Sequence, residues 1–369
     1  MTQISIADRE FMARALQLAG RGLYTTTPNP RVGCVLVDSV SGRTLGEGFH
    51  RKAGEGHAEV NALKAAGGAA RGATAYVTLE PCSHTGKTGP CSDALIAAGV
   101  ARVVYAMEDP NPVVAGRGVA RLRAAGIQVD GPLMQAQAEA LNPGFIKRMR
   151  TGLPWVRCKL AMSLDGRTAM ASGESQWITG PCARADVQRL RAGSCAIVTG
   201  VETLLRDQPA LTVRDPAIEM LGRQPLRVIV DSRLRSPADA GIFRQPGRTC
   251  LASAEAAGGK YDTAVGLWHL PGGEGRVDLH RLLRKLAAEE ACNEVMVEAG
   301  PTLAGSFMAE NLVDELQVYM AGILLGNLAK PLLELPFATM SQRRRLRITD
   351  IRALGEDWRI TARPEQGPD

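Results

Sequence analysis

Two α/β domains in series are what the sequence predicts. Short apolar runs of strand length alternate with helical stretches closed by glycine, the pattern of a layered α/β sandwich. The alternation is interrupted between Leu141 and Pro154, where LNPGFIKRMRTGLP carries proline, glycine and a basic cluster, and then begins again. With 369 residues, the chain is long enough for each series to bury a core of its own. The boundary is therefore expected at 150/151.

The first series opens with MTQISIADREFMARALQLAG, which reads as an amphipathic helix because acids interrupt its apolar residues. Val32 to Val37, Ala73 to Leu79 and Arg102 to Met107 read as strands. His57 to Ala66 and Cys91 to Ala98 read as helices stopped by Gly67 and Gly99, and a third helix near Val119 to Ala125 is stopped by Gly126. The second series begins with the strand Trp155 to Ala161 and continues with strands Cys195 to Thr199, Leu226 to Val230, Glu294 to Val297 and Glu315 to Met320. Helices are expected near Ala183 to Arg191, Leu279 to Glu290 and Thr302 to Glu310. Alternation around Arg345 to Thr349 and Trp358 to Ala362 predicts an antiparallel pair at a sheet edge, and no order is expected after Arg363.

Composition narrows the function. A net charge of +6 is small for this length, and aromatics are only 4%, too few for base-stacking platforms; together they argue against nucleic acid and membrane partners and leave room for an anionic small molecule. The N-terminus lacks the basic start and apolar centre of a secretory signal, and no apolar run is long enough to span a bilayer, so a cytoplasmic location is expected. In that compartment the 8 cysteines do not read as a disulfide framework.

The strongest chemical pattern is His57-Ala58-Glu59, then Pro81-Cys82, then Cys91. One imidazole and two thiolates make a three-ligand zinc set that leaves a tetrahedral position for water. Glu59, two residues past His57 at the start of a helix, is placed to shuttle protons for a hydrolytic deamination. Cys91 opens its own helix, where the positive end of the dipole favours a thiolate. A structural site would call for a fourth ligand, and His84 is near enough in sequence to supply one. The acid at 59 and the proline before Cys82 fit the catalytic site better.

The resemblance goes further. Thr27-Pro-Asn-Pro-Arg-Val-Gly-Cys34, His50, Gly54 to Leu63, Thr78-Leu-Glu-Pro-Cys-Ser-His-Thr-Gly-Lys-Thr-Gly-Pro-Cys91 and Asp109-Pro-Asn-Pro112 are similar to the bifunctional riboflavin-biosynthesis deaminase/reductase family. Lys159-Leu-Ala-Met-Ser-Leu-Asp-Gly-Arg167 and Gly173-Glu-Ser-Gln-Trp-Ile178 continue it, so that it covers residues 8 to 360. Gly89 departs from the family's usual proline, and only a looser loop is expected there. The resemblance implies a cytidine-deaminase-like three-layer α/β/α domain over 1–150 and a dihydrofolate-reductase-like α/β domain over 151–369. It implies zinc-dependent deamination of a phosphoribosylamino-pyrimidine, then reduction of the ribosyl group to ribityl with NADPH.

The implied roles follow the matching positions. Glu59 would be catalytic, and His57, Cys82 and Cys91 would hold the metal. Asn29, His50, His84, Lys87 and Thr88 would meet the deaminase substrate, with Lys87 either facing its phosphate or sitting in solvent. In the second half Ser175, Arg191, Leu211, Arg214 and Glu298 would meet substrate, the two arginines serving as phosphate partners or as plain ion pairs. Ala161, Trp177, Thr203, Asp207 and Ser232 would contact NADPH. So would the run Gly300, Pro301, Thr302, Leu303, Ala304, Gly305 and Ser306, whose helix-start amides suit a pyrophosphate. Lys159 and Asp165 share a motif but receive no role, and Asp165-Gly166 reads equally as a turn. The family also suggests a homodimer. Two competing functions remain at this point. One is a cytidine or tRNA-adenosine deaminase with an appended binding domain, and the other is a non-enzymatic zinc-stabilised scaffold.

Overall fold

The computed structural model describes residues 4–83, 89–112, 114–256 and 258–365. The chain divides into two compact units, Met1–Gly152 and Leu153–Asp369.

The first unit is built on a five-stranded sheet of β1 (Gly33–Val37), β2 (Thr44–Phe49), β3 (Thr74–Val77), β4 (Arg102–Tyr105) and β5 (Gln128–Asp130), in the order β2-β1-β3-β4-β5. β1 runs antiparallel to β2 and β3, while β3, β4 and β5 are parallel. Helix α1 (Ile6–Gly20) starts at Ser5, whose hydroxyl accepts the Asp8 N–H while the Asp8 carboxylate accepts the Ser5 N–H, a capping box. Asp8 is buried and also takes Arg102 and Tyr76, tying the helix to β3 and β4.

Strand parity shows which face each helix covers. A Cβ at Gly33 would lie 2.0 Å from the Ala15 carbonyl of α1. Cys34, on the other face of β1, is in register with Gly48 of β2, and a Cβ there would lie 2.3 Å from the Ala58 carbonyl of α2 (Ala58–Ala66). α1 and α2 therefore cover opposite faces of the sheet, giving three layers. The glycines that bring α2 this close also hide β2 from sequence reading, since TLGEGF lacks the branched residues that mark strands. Helices α3 (Cys91–Ala98) and α4 (Arg117–Ala124) follow β3 and β4.

Residues 141–154 are mostly helical, contrary to the break that proline and glycine suggest. α5 (Gln135–Leu141) is followed by α6 (Pro143–Thr151), with Pro143 at the helix start, where its missing N–H costs nothing, and Gly152 left-handed (φ 70°) at the end.

The second unit carries a nine-stranded sheet. Its strands are β6 (Trp155–Ser163), β8 (Ala196–Gly200), β9 (Leu226–Val230), β10 (Thr249–Ser253), β11 (Gly266–His269), β12 (Glu294–Glu298), β13 (Glu315–Ala321), β15 (Leu346–Leu354) and β16 (Asp357–Pro364). The order is β11-β10-β9-β8-β12-β6-β13-β16-β15, parallel from β11 to β13, with β16 and β15 added antiparallel. β7 (Arg167–Ala169) and β14 (Lys330–Pro331) form a separate pair. Alternate residues of the central strands enter different cores. Val295 and Val297 join the cluster of α9 (Leu279–Ala288) and α10 (Pro301–Ala309), while Met296 joins that of α7 (Pro181–Gly193). Ile197 and Ile229 pack instead with Leu204 of α8 (Val201–Asp207).

β15 is the exposed edge strand, as the terminal alternation predicts. Order runs past Arg363: β16 continues to Pro364, and the Glu365 N–H donates to the Arg345 carbonyl at 3.0 Å. Residues 366–369 lie outside the described residues.

Gly48→Ala is expected to destabilise the chain by about 2 kcal/mol or more, because the methyl meets backbone that cannot yield. A thermal melt of the variant checks this, with a fall in Tm expected.

Candidate active sites

In the first unit, the metal-type residues come from three places. His57 is the N-cap of α2, Glu59 sits in its first turn, Cys82 follows β3 and Cys91 is the first residue of α3. The His57, Cys82 and Cys91 ligand atoms lie within 4.8 Å of one another. His57 Nδ1 is 3.2 Å from Cys91 Sγ and 3.6 Å from Cys82 Sγ. Zinc bonded at ~2.1 Å to nitrogen and ~2.3 Å to sulfur sets its ligands roughly 3.5 Å apart, so this donor set fits zinc in type and spacing. Among the described residues no fourth His, Cys or carboxylate joins the group. His84, Lys87 and Thr88 lie outside the described residues.

The helix start at Cys91 works differently from the sequence expectation. Cys91's own N–H, the first amide of α3, donates to Cys82 Sγ at 3.4 Å. Hydrogen bonding from the Cys91 side chain holds the Cys82 thiol well below the ordinary thiol range, while the same bond and burial push Cys91 up. The first amide of α3 thus points at Cys82, the acceptor in front of the helix, and adds to the bond from the Cys91 side chain in favouring a thiolate there.

Glu59 is buried, and burial pushes its carboxyl up to about 7, with the Cys82 charge adding to the rise. Such a group can both take and return a proton near neutrality. His50 stands edge-on to His57, ring centroids 5.2 Å apart. His50 Nδ1 lies 3.2 Å from the Gly56 carbonyl and must donate to it, so Nε2 is the acceptor for the Asn29 amide at 3.1 Å. Asn29, His50, His57, Glu59, Cys82 and Cys91 are thus linked by contacts, as the motif reading expects.

Glu80 was not singled out from sequence. Its buried carboxylate accepts the backbone N–H groups of Asp109 (3.3 Å), Gly116 (3.0 Å), Gly118 (2.9 Å) and Val119 (3.1 Å). It caps α4 through Gly118 and Val119 and ties the backbone at Asp109 and Gly116 to the residue before Pro81. A Cβ at Gly118 would lie 1.9 Å from the Pro81 carbonyl. The available signal was an acid at the end of an apolar strand, directly before Pro81-Cys82.

The second unit holds a cleft of about 2010 Å³ along the C-terminal edge of its parallel strands. That is larger than the ~300–1,000 Å³ of a single small-ligand site and leaves room for two ligands side by side. Ala161, Trp177, Thr203, Asp207, Ser232, Gly300, Pro301, Thr302, Leu303 and Ser306 line it, as do Ser175, Arg191, Leu211, Arg214 and Glu298. Ala304 and Gly305 do not. Ala304 is in the core, and Gly305 packs against the Glu334 backbone, because only one side of α10 faces the cleft. At the start of α10 a Cβ on Gly300 would meet nothing within 4 Å, so the glycine leaves open space in front of the helix amides, a fit for pyrophosphate.

Arg191 is already engaged. Its Nε and Nη2 donate to the Glu298 carboxylate at 3.0 and 2.9 Å, and Nη1 donates to the Thr212 carbonyl. The guanidinium fork that could grip a phosphate is taken up by a buried carboxylate that needs a partner, and Arg214 is left as the exposed cation. Burial alone would raise Glu298, but the charges of Arg191 and of Lys159, 3.8 Å away, hold it at about 2. Asp207 is pushed up by burial. Asp165 accepts the N–H groups of Leu325 and Gly326 and bonds Ser163, so the Asp165-Gly166 step is a turn that anchors another loop.

A family profile described as the cytidine and deoxycytidylate deaminase zinc-binding region matches residues 5–107. One described as the RibD C-terminal domain matches residues 154–360. The chain is 52% identical over 360 residues to the riboflavin biosynthesis protein RibD of Escherichia coli (strain K12), covering 95% of this chain and 97% of that protein. It is 42% identical to RibD of Bacillus amyloliquefaciens, covering 98% of each. Among solved structures, Acinetobacter baumannii RibD (form 1) matches with a TM-score of 0.92 at 46% identity, over 98% of this chain and 99% of that one. A diaminohydroxyphosphoribosylaminopyrimidine deaminase/5-amino-6-(5-phosphoribosylamino)uracil reductase from Thermotoga maritima matches at 0.87 and 31% identity, over 97% and 99%. These matches bear out a cytidine-deaminase-like first domain and a dihydrofolate-reductase-like second one.

Two outcomes are expected. Cys82→Ala should lose the bound zinc that the parent retains, as read by elemental analysis of the purified protein. Glu80→Ala should strip the loop amides of their acceptor and cost about 2–3 kcal/mol, with faster hydrogen exchange confined first to Gly116, Gly118 and Val119.

Proposed function

The chain belongs to the RibD family of riboflavin-biosynthesis proteins, and from that membership we propose how its two sites divide the work. It is a bifunctional enzyme, a zinc-dependent deaminase and a reductase. Residues 1–150 convert a diamino-pyrimidinone bearing a phosphoribosylamino group to the corresponding uracil with loss of ammonia. Residues 151–369 then reduce the ribosyl group to ribityl with NADPH. The convergence of His57, Cys82 and Cys91 beside the buried Glu59 carries the first assignment.

In the deaminase site, His57, Cys82 and Cys91 would hold zinc, whose chemistry there would be to acidify the water that attacks the ring. Glu59 would take one proton from the attacking water to the ring nitrogen, and then carry the proton of the newly added hydroxyl to the amino group, which leaves as ammonia as the carbonyl forms; burial, which raises its carboxyl, suits both transfers. His50, fixed as its Nδ1–H tautomer by the Gly56 carbonyl, orients the Asn29 amide so that the Asn29 carbonyl can accept from the pyrimidine. His84, Lys87 and Thr88 are assigned to the rest of the substrate, with Lys87 on its phosphate.

In the reductase site, NADPH supplies the hydride. Gly300 to Leu303 and Ser306 would hold its pyrophosphate, and Ala161, Trp177, Thr203, Asp207 and Ser232 would meet the rest of it. Ala304 and Gly305 serve the helix. Ser175, Leu211, Arg214 and the Arg191–Glu298 pair bound the substrate, with Arg214 as the phosphate partner. The protein's task here is to hold donor and acceptor carbons in contact.

The edge strand β15 is the dimerisation surface. It is nine residues long, exposes Leu346, Ile348 and Ile351, and no covering element shields it among the described residues. No helix among the described residues is long and apolar enough to cross a membrane, and a cytoplasmic location suits a pathway of small phosphorylated intermediates.

Glu59→Ala should retain zinc and lose deaminase turnover by ~10²–10⁴-fold. The same variant, given the deaminated intermediate, should still oxidise NADPH at the parent rate, read at the NADPH absorbance. Unchanged ammonia release would remove Glu59 from the mechanism. Ile351→Glu should convert a dimer to a monomer in sedimentation velocity without loss of deaminase activity.

A further inference from the structure

The cofactor's adenosine end has a charged feature that the family-matched contacts do not include. The cleft follows the C-terminal ends of β6, β12, β8 and β9, which are successive neighbours in the sheet. Adjacent strands are ~4.8 Å apart, so β6 to β9 spans roughly 14 Å. Glu298 on β12, with Lys159 of β6 3.8 Å away, marks one end, the end given to the substrate. Gly300, after β12, takes the pyrophosphate. The chain ends that remain for the adenosine ribose are those of β8 and β9, where Thr203 and Ser232 lie.

At those ends Arg235 reaches across from the loop after β9 to Glu202, beside Thr203, with Nη1 2.7 Å from Oε1. Arg206 approaches the same carboxylate at 3.6 Å. All of these residues line the cleft. The Ser232 hydroxyl accepts the Val277 N–H at 3.1 Å, which leaves its own proton to donate. The Arg235–Glu202 pair is half exposed, with side-chain accessibilities of 47% and 55%, and an ion pair so exposed to solvent is easily exchanged for another.

We propose that Arg235 is the residue that reads the 2′-phosphate of NADPH, and so sets the preference for NADPH over NADH. This rests on the reductase reading given above. A guanidinium fork matches a phosphate monoester bidentately, and the Ser232 hydroxyl adds a donor beside it. Glu202 is the counterpart: a carboxylate at a ribose edge accepts from a free 2′-hydroxyl, which only NADH presents. On binding NADPH, Arg235 leaves Glu202 for the phosphate, and Arg206 remains to neutralise the carboxylate. With NADH the ion pair stays as it stands here.

The test is calorimetric titration of the full chain with NADPH and, separately, NADH, in the parent, Arg235→Met and Arg235→Lys. The expected result is that Arg235→Met weakens NADPH by at least about tenfold and leaves NADH within about twofold, with Arg235→Lys between parent and Met for NADPH. Retained NADH binding shows that the variant is folded. Equal weakening of both coenzymes, or no change in NADPH affinity, overturns the assignment of Arg235 and leaves the reductase reading intact. A parent chain that binds neither coenzyme overturns that reading itself.

Discussion

Three ligand atoms from two helix starts and one loop meet within 4.8 Å because α2 can lie almost on the backbone of β2. Gly48 makes that approach possible, and it brings His57 and Glu59 over the sheet end where Cys82 and Cys91 emerge. Glu59, in the first turn of the same helix, is buried, and that burial raises its carboxyl. The placement of one helix thus bears on both the metal geometry and the basicity of the acid beside it. The helix start at α3 adds to this by aiming an amide at Cys82, and Glu80 keeps the neighbouring loop from moving.

The reductase unit depends on a different device. Four of its parallel strands, β6, β12, β8 and β9, end at one cleft, so that their side chains and the following turns are laid out in strand order along it. The Arg191–Glu298 pair with Lys159 is a charged feature at the β6–β12 end of that row. Removing one partner would leave an uncompensated charge, so the pair holds α7 against β12 whatever else it contacts.

Much of this was legible in the sequence. The helices carrying His57 and Cys91 have clear glycine stops, and His-x-Glu with Pro-Cys is a pattern whose chemistry dictates its residue types. β2 was not legible, because the glycines that serve the helix contact erase the strand signal. The stretch Leu141 to Pro154, which holds α6, reads as a break because proline at a helix start looks, in sequence, like proline at a helix end. Cys82 was legible as a thiolate ligand, but the amide that donates to it was not, because that amide belongs to Cys91, nine residues on, and only the fold brings them together. Arg191 shows the same limit: its type suits phosphate, but its partner Glu298 lies on a strand 107 positions away. Ala304 and Gly305 matched by motif, yet lie on the side of α10 that serves the core.

The central claim is that one chain performs two consecutive reactions on one pyrimidine. Mass spectrometry of the product formed from the phosphoribosylamino-diaminopyrimidine by zinc-loaded protein, with and without NADPH, addresses it most directly. The account predicts replacement of an amino group by oxygen in both samples, and a further gain of two hydrogens only where NADPH is present. Recovery of unchanged substrate, with ammonia released from cytidine or from tRNA instead, would contradict it.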